Sequence, residues 1–192
     1  MTDAAATAFA ADNAVARLAR RYEDTPAVQL LEHFADLGDQ PPLRILCASF
    51  IAVGLFARDR RLARAGVAML AAHTAATLLK DAVKKRVDRT RPRSADKPGK
   101  DAKPRPGGDT SKEETSFPSG HSAGAAAVAR AFARAYPEHA APAYAAAGLL
   151  ALAQIPRCAH YPTDVGAGLA IGVAAEAVTG LAFEIASERA GG

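Results

Sequence analysis

Five alanine-rich apolar stretches, each closed by charges or a proline, decide what this chain can fold into. They run over residues 43–57, 62–79, 123–136, 142–155 and 165–186. Alanine is the strongest helix former, tryptophan is absent and aromatics are few, so the stretches read as helices rather than strands. Arg58-Asp59-Arg60-Arg61 parts the first from the second, and Tyr136-Pro137-Glu138-His139 the third from the fourth. At 192 residues the chain is long enough for one domain with a real core. The expected fold is all-α: a five-to-six-helix up-down bundle over 37–187, preceded by an amphipathic helical segment over 1–36. No secretory signal is read in that segment, where charges interrupt short apolar runs. Thr25-Pro26 is its expected break, with Thr25 as a helix N-cap. Leu37-Gly38-Asp39-Gln40-Pro41-Pro42 then punctuates the entry to the bundle.

An up-down count carries four segment ends to one face of such a bundle. The end of the second helix brings Lys84 and Arg91, and the start of the third brings Ser119, Gly120 and His121. The end of the fourth brings Arg157 and His160, and the start of the fifth brings Asp164. Those residue types suit phosphoryl transfer, which needs an in-line nucleophile, neutralised oxygens and a protonated leaving group. Lys84 as a point charge and Arg91 as a planar fork would hold non-bridging oxygens. Pro92 ends the segment and fixes the arginine's direction. Ser119 is a natural N-cap, Gly120 allows close backbone approach, and the amides of Gly120 and His121 sit at the positive end of a helix. His121 suits a general acid. His160 suits a nucleophile, with Asp164 four residues on accepting from Nδ1–H and leaving Nε2 free.

Each piece alone has a plainer reading. Pro118-Ser119-Gly120-His121 could be an ordinary helix start, and His160 with Asp164 a surface hydrogen bond. Lys84 could be a solvated basic terminus, as Lys80, Lys85, Arg86 and Arg89 are read to be. Their joint occurrence in this order favours the phosphate site. No His, Asp or Glu cluster has metal-ligand spacing, so neither metal nor other cofactor is expected. Cys47 and Cys158 are far apart and form no CxxC, which points to packed thiols rather than a disulfide framework.

The three blocks resemble the type 2 phosphatidic acid phosphatase superfamily. That family also holds bacterial acid phosphatases, isoprenyl-phosphate phosphatases and vanadium haloperoxidases. Its pattern is Lys-x6-Arg-Pro, then Pro-Ser-Gly-His, then Ser-Arg-x5-His-x3-Asp. The first two blocks fit without a gap, and the likeness spans about residues 37–187. In the third block the family's arginine position falls on Gln154, preceded by Ala153. Arg157, three residues on, shares that helical face and is assigned the missing phosphate contact. The resemblance implies a phosphohistidine at His160 and a metal-independent phosphatase acting on a lipid or isoprenyl phosphate monoester or diphosphate. A soluble acid phosphatase for small phosphomonoesters is the alternative, and Gln154 adds a second, a catalytically impaired phospholipid-binding membrane protein. Haloperoxidation is disfavoured by the short chain.

A net charge of +4, spread without interleaved aromatics, excludes a nucleic-acid surface and suits an anionic substrate. A spanning helix needs about 20 largely apolar residues, which the second and fifth stretches supply. The first and fourth are short, and the third carries Arg130 and Arg134. Glu176, midway along the fifth, is costly in lipid unless paired inside the bundle, and Arg130 at similar depth is its expected partner. Gly168-x3-Gly172 suits close helix contact within the bundle. Tyr136, Tyr144 and the Arg58/Arg60/Arg61/Arg64 cluster mark one membrane border as cytoplasmic. A soluble alanine-rich bundle explains the modest hydropathy nearly as well. The resemblance favours an integral protein of the bacterial inner membrane, its active end on the non-cytoplasmic side. Residues 93–117 are too polar and too rich in proline and glycine to pack. They read as a solvated linker, or as a lid admitting the headgroup.

Overall fold

The computed structural model describes residues 3–95 and 102–191. Two helices, α1 (Asp3–Arg20) and α2 (Pro26–Ala35), precede five longer-range packing partners. These are α3 (Gln40–Phe56), α4 (Arg60–Lys84), α5 (Gly120–Ala135), α6 (Ala140–Leu152) and α7 (Pro162–Gly191). Prolines stand in the first turns of α2 and α3, where a missing N–H costs nothing. Asp59 caps α4 by accepting from the Leu62 amide at 3.0 Å. Thr25 takes the N-cap position of α2, but its hydroxyl donates back to the Tyr22 carbonyl at 2.7 Å. It closes the preceding turn instead of capping the helix.

Helix α5 is the axis of the bundle, with α4, α6 and α7 packed around it and α3 against α4. Ser122 through Ala129 are all buried, and nearly all are alanine or glycine. Small side chains on every face let three neighbours approach one helix closely. The core joins Cys47, Met69, Ala72, Ala76, Ala127, Val128 and Ala175 across α3, α4, α5 and α7. A Cβ at Gly168 would lie 2.4 Å from the Ser119 carbonyl, and one at Gly172 2.4 Å from that of Ala123. The Gly-x3-Gly pair therefore packs α7 on α5 inside the chain, and any larger residue would push the two helices apart.

The outward faces are apolar. Ile45, Leu55, Val67, Leu78, Leu149, Val178 and Leu181 are exposed along the bundle, far more surface than scattered residues would give. Among the described residues α4 and α7 are long and apolar enough to cross a membrane. Glu176 is buried between two arginines. It accepts from Arg130, as the sequence pairing requires, and also from Arg134 at 2.8 Å, which reaches on to Glu184 at 2.6 Å.

The polar loop is not a loose linker. Residues 96–101 lie outside the described residues, but its remainder is pinned. Strand β1 (Val87–Asp88) pairs antiparallel with β2 (Arg105–Pro106). The Arg89 amide donates to the Glu114 carbonyl at 2.7 Å, and the Ser116 amide to that of Arg89 at 3.0 Å. Ser94, Glu114 and Ser116 are buried. Composition alone cannot reveal such order, because backbone groups supply most of these bonds.

Candidate active site

The four helix ends meet as the up-down count requires. The Ser119 amide at the start of α5 donates to the Asp164 carbonyl in the first turn of α7, at 3.0 Å. Ser119 caps α5, its hydroxyl oxygen accepting from the Ser122 amide at 3.3 Å. The Gly120 and His121 amides stand in the first turn, where the helix offers them no acceptor. Lys80, read as a solvated cation, is instead 7% exposed and runs beside this turn; a Cβ on Gly120 would lie 3.2 Å from its Cδ. The remaining basic residues of that terminus, Lys85 and Arg86, are exposed as expected.

His160 hangs from the turn that follows α6. The Ala159 and His160 amides both donate to the Gln154 carbonyl at 3.2 Å, and Cys158 takes a left-handed φ of 51° to make the bend. The ring is buried, and Nδ1 lies 2.7 Å from the Ser116 carbonyl. A carbonyl only accepts, so Nδ1 carries the proton and Nε2 is the free nitrogen. The orienting acceptor is thus Ser116 rather than Asp164, whose Oδ2 is 3.8 Å from Nδ1, too far for a hydrogen bond. Asp164 is turned away because it sits three residues past the α7 N-cap position. It reaches back to the Tyr161 amide at 2.9 Å, as a capping-box acid does. It also accepts from the Ser116 hydroxyl and from Arg89, each at 2.5 Å. Burial above all, helped by Arg91 and Lys84 and opposed by Asp164, holds His160 down at about 4. The ring is neutral near pH 7, as a nucleophile must be. Cys158 beside it is a free buried thiol, pushed up to about 12 chiefly by burial, and is inert there.

Lys84 donates to the Thr115 carbonyl. Arg91 donates from Nε to the Lys112 carbonyl at 2.7 Å and from Nη1 to that of Ala159 at 3.2 Å. A cavity of about 540 Å³ opens here, walled by Arg91, His121, Gln154 and Arg157 with Asp36 and Asp39. His160 and Lys84 are set back from that wall, against the 115–116 carbonyls. Arg157 does join Arg91 and His121, but its Nη2 is held by Asp36 at 3.1 Å and Glu32 at 3.3 Å. Its Nε has no partner. Asp39 Oδ1 lies 2.9 Å from His121 Nε2. The sequence motifs gave no notice of the carboxylates of Glu32, Asp36 and Asp39, of Ser116, or of Arg89. Arg89 sits in a run of cations and was expected in solvent, yet it is 1% exposed.

A model of the PAP2 superfamily matches residues 62–185. No curated protein matches significantly. Among solved structures, the fold resembles the first transmembrane PAP2-type phosphatidylglycerolphosphate phosphatase from Bacillus subtilis, with a TM-score of 0.67 at 23% identity over 96% of this chain and 88% of that one. It also resembles Aquifex aeolicus LpxE, with a TM-score of 0.63 at 22% identity over 85% and 91%. The family match takes in α4 through most of α7, with every motif residue named above, and the chain accordingly belongs to the PAP2 superfamily.

Proposed function

We propose that the chain, as one catalytic domain, is a membrane phosphatase hydrolysing a lipid or isoprenyl phosphate monoester or diphosphate through a phosphohistidine. The observation that carries this reading is the His160 ring, neutral, fixed through Nδ1 by the Ser116 carbonyl and flanked by Lys84 and Arg91. Nε2 attacks phosphorus in line and forms a P–N bond as the P–O bond to the alcohol breaks. Lys84, Arg91, Arg157 and the Gly120 and His121 amides take up the charge on the non-bridging oxygens. His121 protonates the departing alkoxide, then as a neutral base takes a proton from the water that cleaves the P–N bond. Arg157 binds phosphate by exchanging the carboxylates of Glu32 and Asp36 for phosphate oxygens, which makes it the substitute for the arginine that Gln154 displaces.

The lipid class is supported by the surroundings of the cavity. Leu30 and Leu37, exposed on α2 and the turn after it, flank the wall residues Glu32 and Asp36. A phosphate head could enter while its chain stayed in the bilayer, whose core the apolar faces of α4 and α7 suit. The arginine cluster at 58–64 supports a cytoplasmic location for the opposite end, and with it a site on the non-cytoplasmic side of the inner membrane. The test is inorganic phosphate release from lipid, isoprenyl and small soluble phosphates, with chelator present. Chelator-resistant turnover on the lipid substrates, absent in His160→Ala, supports the reading. Turnover confined to small soluble phosphates, or surviving His160→Ala, overturns it.

A further inference from the structure

Among the described side chains of helix α1 one charge is buried, Asp12, at 1% exposure. It stands in line with buried Ala16 and Ala19, the spacing of a single helical face. An acid in the middle of a packed apolar stripe must be matched by a partner. That partner is Arg89. Its Nη2 donates to Asp12 Oδ2 at 2.7 Å and its Nη1 to Asp164 Oδ1 at 2.5 Å. Nη1 also meets the Thr163 hydroxyl at 2.8 Å, and Nε donates to the Ala102 carbonyl at 2.9 Å. The guanidinium lies over the Tyr161 ring, 3.9 Å from its centroid. Asp12 closes the circuit: its Oδ1 accepts from the Thr163 amide at 3.0 Å and its Oδ2 from the Thr163 hydroxyl. A carboxylate from the far end of the chain thus caps the first turn of α7, the turn that presents Asp164.

We infer that Asp12 and Arg89 are positioning residues of the phosphatase, acting through Asp164, and that α1 is part of the active site rather than an accessory to it. The inference rests on the phosphohistidine reading. Asp164 does not hydrogen-bond His160, so it acts as a fixed negative charge 3.8 Å from Nδ1, and a fixed charge is only as good as its placement. Arg89 alone would neutralise that charge. Asp12 shares the guanidinium, so that the Asp12–Arg89–Asp164 set keeps one net negative charge facing the ring as it becomes a cationic phosphoimidazole.

The test compares Asp12→Asn, Asp12→Glu, Thr163→Val and Thr163→Ser with wild type and His160→Ala, measuring kcat, KM, the acid limb of kcat/KM and thermal midpoint. Asp12→Asn is expected to lower kcat about 10–100-fold with KM within about twofold. It should also move the acid limb to lower pH, because His160, faced by Asp164, Lys84 and Arg91, loses net negative surroundings. Thr163→Val, which removes the hydroxyl bond to Asp12, keeps the amide bond and touches no charge, should lower kcat less, and Thr163→Ser should restore it. If Asp12→Asn does not fold, the Thr163 pair and Asp12→Glu decide. Unchanged kcat in Asp12→Asn and Thr163→Val, or losses that track the thermal midpoint with no shift of the acid limb, overturn the inference while leaving the phosphohistidine intact. Turnover surviving in His160→Ala removes the reading beneath it instead.

Discussion

Helix α7 buries two carboxylates, Asp164 and Glu176, and pairs each with arginine, yet the two regions differ in kind. Glu176 meets Arg130 and Arg134, whose side chains are 37% and 43% exposed, and the network runs outward to Glu184. Each of its two carboxylate oxygens is taken by an arginine. Asp164 meets an arginine that is as buried as itself, and beside it stands a histidine with one free nitrogen. A buried ion pair is therefore weak evidence for function on its own. What separates the regions is a neighbouring group with bonding capacity left over.

The sharpest way to break this comparison is to remove that group. His160→Ala should cut phosphate release by about a thousandfold or more while circular dichroism stays that of a folded helical protein. Arg157→Ala should follow with a loss of about 10–100-fold in kcat/KM, read on the same substrate. An unchanged value would leave the Gln154 position without a substitute. Glu176→Ala should do the reverse of His160→Ala. The two arginines left behind are more than a third exposed and Arg134 keeps Glu184, so the lost charge-assisted bonds cost about 1–3 kcal/mol of stability, seen as a lower thermal midpoint, while kcat per folded molecule stays near wild type. A kcat loss there would erase the distinction between the two regions.

Protonation gives the mildest effect and works on one region only. Because His160 sits at about 4 against an ordinary 6.5, turnover should hold through neutral pH and fail as pH falls through about 4. The same shift is a stability statement. The contribution of neutral His160 is complete above 6.5 and is lost as pH falls to about 4. His160→Ala should remove that part of the acid dependence of the thermal midpoint.

Much of this was legible in the residues. The five apolar stretches, the shared face of their ends and the Arg130–Glu176 pair follow from hydropathy and helical period, which the fold respects. Asp164's surroundings do not follow. Arg89 is one of six cations between Lys80 and Arg91, and nothing in one dimension separates the buried ones from Lys85 and Arg86. Asp12 lies 152 positions before Asp164, and only its place in the Asp12, Ala16, Ala19 stripe hints that it is inside. His160's acceptor was missed because a main-chain carbonyl has no letter in the sequence.

Lys84, Arg91 and His160 are all held by carbonyls of the short run from Lys112 to Ser116, and carbonyls are the same whatever side chain they carry. Relatives of this chain are therefore free to change Lys112 or Thr115 with little effect. One residue added or lost between them would put every acceptor out of register at once. In this segment inheritance should guard length more jealously than letters, and its history is better read from gaps than from substitutions.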